Sequence, residues 1–213
     1  APQARHDLGV GVSEPTPLFL EYRFPLGLDP VIDPIRALYD KSKEAAWDPA
    51  AAIPWDAFDA SAYSAEQLAA ASLSWSRRAW VEYTALAETP SLLVRFCVER
   101  GREADAKFYL TVRNTEEAWA IESCHRMAER CGGYREQPDD ATYRENLNRN
   151  FHREVLNAET PLDAYVAAHC ALADSLERDL WRAYEEAARD PVAQAILNHV
   201  GKDKARHAEF GWL

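Results

Sequence analysis

Apolar residues recur at spacings of three and four along most of this 213-residue chain, the period of helices with one buried face. The pattern predicts a short helix over 33–45 and a long one from about Ala65 to Arg100, stopped by Gly101. Pro90 falls inside that long helix and predicts a kink or break near Glu88. A second long helix follows over about 103–131 and ends at Gly132-Gly133. A third starts at Thr160-Pro161, with Thr160 as N-cap and proline in the first turn, and runs to about Ala188. Asp190-Pro191 repeats that start signal for a fourth, ending near Trp212. Residues 1–30 read as an extended arm with short apolar runs (Leu18-Phe19-Leu20, Tyr22, Phe24). Residues 47–58 read as a loop with aromatic anchors, and 138–157 as a polar stretch with one short helix. The expected class is all-α: one domain over 1–213, with arm, short helix and aromatic loop over 1–62 and a four-helix bundle over 63–213.

Composition narrows the classes. Hydrophobic residues make up 47%, enough for a sizeable core. The net charge of −11 argues against nucleic acid and anionic membrane surfaces as partners. No apolar run approaches the roughly 18 residues of a membrane span. The first residues lack the basic-then-apolar order of a secretory signal, so a cytoplasmic location is expected. Cys97, Cys124, Cys131 and Cys170 form no CxxC pair and read as reduced, buried thiols.

Two stretches carry candidate chemistry. Glu122 and His125, three apart on the second long helix, lie on one helix face and can hold one metal ion. Four-helix bundles with two irons or manganeses use such a pair twice, with one carboxylate from each of the other two helices. The fourth helix carries Asp203-Lys204-Ala205-Arg206-His207, where Lys204 stands at the position of the second pair's glutamate. In such bundles the first-helix carboxylate precedes the pair by about 30 to 35 residues. Glu88 meets that spacing, with Glu82 as the alternative. On the third helix Asp174 sits among apolar neighbours, whereas Glu177 groups with Arg178 and Asp179 and reads as solvent-facing. His169 and Asp203 are alternative ligands. The plain alternatives are a surface carboxylate with a core histidine on the second helix, and an exposed charged end on the fourth.

The segments Asp203-Lys204-Ala205-Arg206-His207-Ala208-Glu209-Phe210-Gly211-Trp212 and Glu116-Glu117-Ala118-Trp119 through Glu122-Ser123-Cys124-His125 to Gly132-Gly133-Tyr134 resemble the ferritin-like di-metal carboxylate superfamily. The nearest likeness is to its oxygenase-type members, such as arylamine N-oxygenases, over roughly residues 75–213. That resemblance implies Glu88, Glu122, His125, Asp174 and His207 as metal ligands, with position 204 changed from glutamate to lysine and position 174 to the shorter aspartate. It implies a homodimer, a small organic substrate (an amine among the candidates) and O2-dependent oxidation in a biosynthetic pathway. Iron is the implied cofactor, as two ions if the site is intact, with manganese as a substitute.

Lys204 sets the alternatives. A protonated lysine cannot ligate and repels a second cation nearby. It can neutralise the carboxylates where a metal would stand, giving a metal-poor or metal-free relative that catalyses other chemistry or binds a small molecule or partner protein. A desolvated, neutral lysine would instead be a catalytic base or nucleophile. A bundle with no core site is the third reading.

Overall fold

The computed structural model describes residues 28–101, 103–142, 155–157 and 159–213. The arm over 1–27 and most of the polar stretch with its expected short helix lie outside the described residues. The described elements are α1 (Asp33–Glu44), α2 (Pro49–Ala52), two 3₁₀ turns (Trp55–Ala57 and Ala60–Ala62), α3 (Ala65–Glu99), α4 (Asp105–Arg130), α5 (Leu162–Tyr165), a π-helical segment (Val166–Ala173), α6 (Asp174–Ala187) and α7 (Pro191–Trp212). The all-α expectation holds among these residues.

Local chemistry sets the ends. Ser64 and Gln67 form a reciprocal capping box at the start of α3. Asp190 Oδ1 accepts from the Val192 and Ala193 amides, both at 2.9 Å, with Pro191 in the first turn of α7. Of the kink or break expected near Glu88, the break does not occur: α3 runs through Pro90. One residue past the proline, Ser91 Oγ donates back to the Ala87 carbonyl at 2.7 Å, a local bond of the kind that accompanies helix bends.

The third long helix departs most from expectation. Pro161, not Thr160, takes the N-cap position, and the Thr160 carbonyl accepts from the Arg95 guanidinium. Between α5 and α6 the backbone widens into the π-helical segment. Gly211 of α7 lies directly against it: a Cβ there would be 2.1 Å from the Cys170 carbonyl carbon. Only glycine permits that approach.

The short connection after Gly101 folds α4 back along α3, and α7 packs along α6 and the π segment. Contacts between α4 and α7 join the two pairs, and α1 lies on α4. The core is layered. One apolar cluster gathers Trp47, Trp75, Ala120, Cys124, Trp181, Ile196 and Val200. The other gathers Leu38, Leu92, Tyr109, Leu110, Tyr165 and Phe210. On α3, α4 and α7 the buried charged residues Glu82, Arg113, Glu116, Glu117, Asp203, Lys204, Arg206 and His207 fall between these two sets in sequence, whereas buried Arg95 and Asp105 lie beyond the second set. An ionic layer therefore lies across the bundle at one depth. The four cysteines are free thiols; Cys97 is partly buried and the others fully so.

Candidate functional site

Helix periodicity brings the layer together. On α3, Glu82 and Thr89 share a face two turns long. On α4, Arg113 and Glu117 continue the inward line from Tyr109 to Ala120 and Cys124. Lys204 and His207 lie on one face of α7, and Asp174 and Glu177 on one face of α6.

Lys204 Nζ donates to Glu82 Oε2 and to Glu177 Oε2, each at 2.7 Å. Arg113 forms a fork with Asp174, at 2.5 and 3.2 Å, and its Nε donates to Glu117 Oε1 at 3.0 Å. Thr89 Oγ1 also donates to Glu117 Oε1, at 2.8 Å. Glu117 Oε2 is buried without a partner. Behind these pairs, Arg206 bridges Glu116 and Asp203, Trp47 Nε1 donates to Asp203 Oδ2 at 2.9 Å, and His207 Nε2 meets Glu116 Oε2 at 2.9 Å.

Burial and charge oppose each other throughout. Burial alone would push the Lys204 ammonium down, but the charges of Glu82 and Glu177 and their hydrogen bonds hold it above its ordinary value, so it stays protonated. Burial lifts Glu82 to about 7 against the opposing pull of Lys204. Burial likewise lifts Glu117 to about 6, against Arg113, and Glu116 to about 8. Asp203 rises to about 6 through burial, opposed by its bond from Trp47. Glu177 behaves oppositely: burial raises it, but the Lys204 charge and hydrogen bond, with the charges of Arg113 and Arg78, together outweigh that and hold it below the usual carboxylate range. Glu177 is therefore the ionised partner of Lys204, and Glu82 is the one that titrates near neutrality. Burial, then the cations Arg113, Lys204 and Arg206, hold His207 well below its ordinary value, so its imidazole is neutral.

A cavity of about 210 Å³ opens beside the layer, between α3, α4, the π segment and α6. Glu82, Glu117, Asp174, Glu177, Arg113 and Lys204 line one side. Glu88, Tyr165 and His169 line another. Tyr165 Oη donates to Glu88 Oε1, His169 Nδ1 lies 3.5 Å from the same oxygen, and the His169 ring stacks on Tyr165 at 4.2 Å.

The residues named from sequence divide accordingly. Asp174, Glu82, Lys204, Asp203 and His207 lie in the ionic layer; Glu88 and His169 lie on the cavity wall, away from the Lys204 and Arg113 pairs. Glu122 and His125 do not join them, which corrects the pair chosen from the motif. Glu122 pairs with Arg126 at 2.6 Å with its side chain 43% exposed. His125 is exposed and its ring packs on Tyr134. Both positions are turned about 100° or more from the line of Arg113, Glu117 and Ala120. Glu177, read as solvent-facing, is instead a partner of Lys204. Lys204 is a charged counter-ion here rather than a neutral base or nucleophile, which corrects its assignment as catalytic.

Sequence reasoning missed Arg113, Glu116, Glu117 and Arg206. A signal existed: Glu117 follows Glu82 by 35 residues, within the spacing used for the first-helix carboxylate.

The donor set does not fit two metal ions. Lys204 lies between Glu82 and Glu177, Arg113 lies between Glu117 and Asp174, and the one imidazole of the layer faces Glu116. Each carboxylate a metal would need already meets a protein cation. Among the described residues no group of three or more His, Cys, Asp or Glu side chains is placed to hold a metal ion.

No protein-family model and no curated protein matches the chain. Solved structures do. A point variant of an R2-like ligand-binding oxidase with an aerobically reconstituted Mn/Fe cofactor aligns with a TM-score of 0.66 at 18% identity, over 84% of this chain and 70% of that one. An R2-like ligand-binding oxidase with an aerobically reconstituted metal cofactor after photoconversion aligns at 0.64 and 20%, over 84% and 67%. Another variant, with an anaerobically reconstituted Mn/Fe cofactor, aligns at 0.65 and 19%, over 84% and 70%. At such identities the likeness speaks for the fold, and in fold this chain is a ferritin-like helical bundle of the R2 type.

Proposed function

We propose that this chain is a ferritin-like protein whose ionic layer works without a two-metal centre and whose cavity binds a small organic molecule. The single observation behind this reading is the position of Lys204 Nζ, 2.7 Å from a carboxylate of α3 and 2.7 Å from one of α6. A fixed ammonium between facing carboxylates supplies the positive charge that a metal ion supplies in a di-metal bundle, and Arg113 does the same for Glu117 and Asp174.

The chain's own groups suit proton exchange with a bound molecule. Glu82, at about 7, and Glu117, at about 6, border the cavity and change protonation near neutrality. Elemental analysis of protein from iron- and manganese-supplemented cells tests the reading. Far less than one metal per chain is expected; close to two per chain would overturn it.

A second reading is a non-haem iron or manganese oxidase acting on a small organic, amine-containing substrate in a biosynthetic pathway. It is favoured by the carboxylates Glu82, Glu117, Asp174 and part-buried Glu177 that converge from α3, α4 and α6, and by the Mn/Fe cofactors of the R2-like ligand-binding oxidases. O2 consumption by the iron-loaded chain separates it from the first. A homodimer in the cytoplasm belongs to the same proposal, and light scattering should give the mass of two chains. No described helix is long and apolar enough to cross a membrane.

A further inference from the structure

We infer that the cavity is a site for a small organic ammonium ion, a primary amine on an apolar body about the size of a six-membered ring. The inference rests on the metal-independent reading above and names the ligand class of that cavity.

Charge comes first. Five carboxylates border the cavity (Glu82, Glu88, Glu117, Asp174 and Glu177), against two fixed cations, Lys204 and Arg113. Four of the five already meet donors: Glu82 and Glu177 meet Lys204, Asp174 meets Arg113, and Glu88 meets Tyr165. Glu117 is met on one side only. Its Oε1 accepts from Thr89 and Arg113, while its Oε2 has no partner although the residue is 1% exposed. A buried carboxylate oxygen left without a donor is costly, and a ligand that supplies an N–H there gains that energy on binding. An ammonium supplies three donors and one positive charge against the carboxylate surplus. An anion would meet that surplus unfavourably.

Size and access select the class further. A cavity of about 210 Å³ is somewhat larger than the roughly 150 Å³ apolar cavity known to take benzene. Ala85, Leu92, Cys170 and Ala173 supply apolar wall, so a bare ammonium or a hydrated metal ion would leave that wall without contacts. Exposed Ala173 and Val81 mark the opening to solvent.

The test is calorimetric titration of the full chain, with its metal content measured on the same sample. The probes are cyclohexylamine, cyclohexanol and cyclohexanecarboxylate at pH 7.5, where the amine is charged. The amine should bind at least about tenfold more tightly than either analogue, as one charged hydrogen bond implies. Glu117→Gln should weaken the amine by about tenfold or more, and Glu122→Gln, on the outer face, should not change it. Ala85→Leu, which fills the cavity from α3, should abolish binding and serves if Glu117→Gln fails to fold. Equal binding of amine and alcohol, or unweakened amine binding by folded Glu117→Gln or Ala85→Leu, overturns the inference. If the chain is metal-free and the amine fails, this inference alone falls; two bound metals per chain would remove the reading beneath it.

Discussion

Replacing Lys204 by methionine keeps the apolar stem and removes the ammonium, and its effect should depend on pH in a defined way. In the parent, Glu82 loses its proton near 7, because Lys204 offsets part of the burial that raises it. In Lys204→Met that offset is gone, while burial and the neighbouring Glu177 and Glu117 carboxylates still raise the group, so Glu82 keeps its proton to higher pH. In the unfolded chain the group titrates at its ordinary 4.5. Below pH 7 both folded forms hold Glu82 neutral, and their stabilities run parallel with pH. Above pH 7 the folded variant binds one proton more than the folded parent. The variant therefore loses stability relative to the parent by about 1.4 kcal/mol per pH unit. At pH 8.5 this adds about 2 kcal/mol to whatever gap exists at pH 6, with a ceiling of about 3–5 kcal/mol for an orphaned buried charge. Glu177 adds little, since its side chain is 31% exposed and can turn to water. Urea unfolding of both proteins at pH 6.0, 7.0 and 8.5 reads the gap directly. In thermal melts the extra loss at pH 8.5 is roughly 4–8 °C for a chain of this size. A gap that stays constant from pH 6 to 8.5 would refute the reasoning, because it would mean that Lys204 does not control the ionisation of Glu82.

Other outcomes follow from the same geometry. Lys204→Glu adds a carboxylate to an acidic layer and should lower the melting temperature in EDTA; Mn(II) or anaerobic Fe(II) should then raise it by more than it raises the parent. Gly211→Ala drives a Cβ into the backbone of the π segment and should cost about 1–3 kcal/mol in denaturant unfolding, with the amine site weakened alongside. Glu122→Ala and His125→Ala, on the outer face of α4, should each change stability by no more than about 0.5 kcal/mol and leave metal content unchanged.

The helices were legible because their ends carry local signals: Ser64 with Gln67, Gly101, Gly132-Gly133 and Asp190-Pro191 act within a few residues. The π segment was not, because tertiary contact defines it. The bare backbone of Gly211 meets Cys170, a relation across some forty residues of sequence. The site was half legible for a related reason. On α7 the buried and exposed faces differ clearly, so Asp203, Lys204 and His207 could be placed together. On α4 the inward line is itself polar at Arg113, Glu116 and Glu117, while Trp119 and Ile121 sit partly exposed. Apolar periodicity then points away from the true face, and the Glu122–His125 spacing drew the assignment outward. Arg113 and Lys204 became interpretable only with their carboxylate partners from other helices in place.

The central claim is that protein cations occupy the centre of the ionic layer. Anomalous diffraction at the iron and manganese edges tests it most directly, on crystals of protein made in metal-supplemented cells. The expected result is no anomalous peak between Glu82 and Glu177, with side-chain density of Lys204 reaching both. Two peaks in that position about 3.5–4 Å apart, with Lys204 turned away, would contradict it.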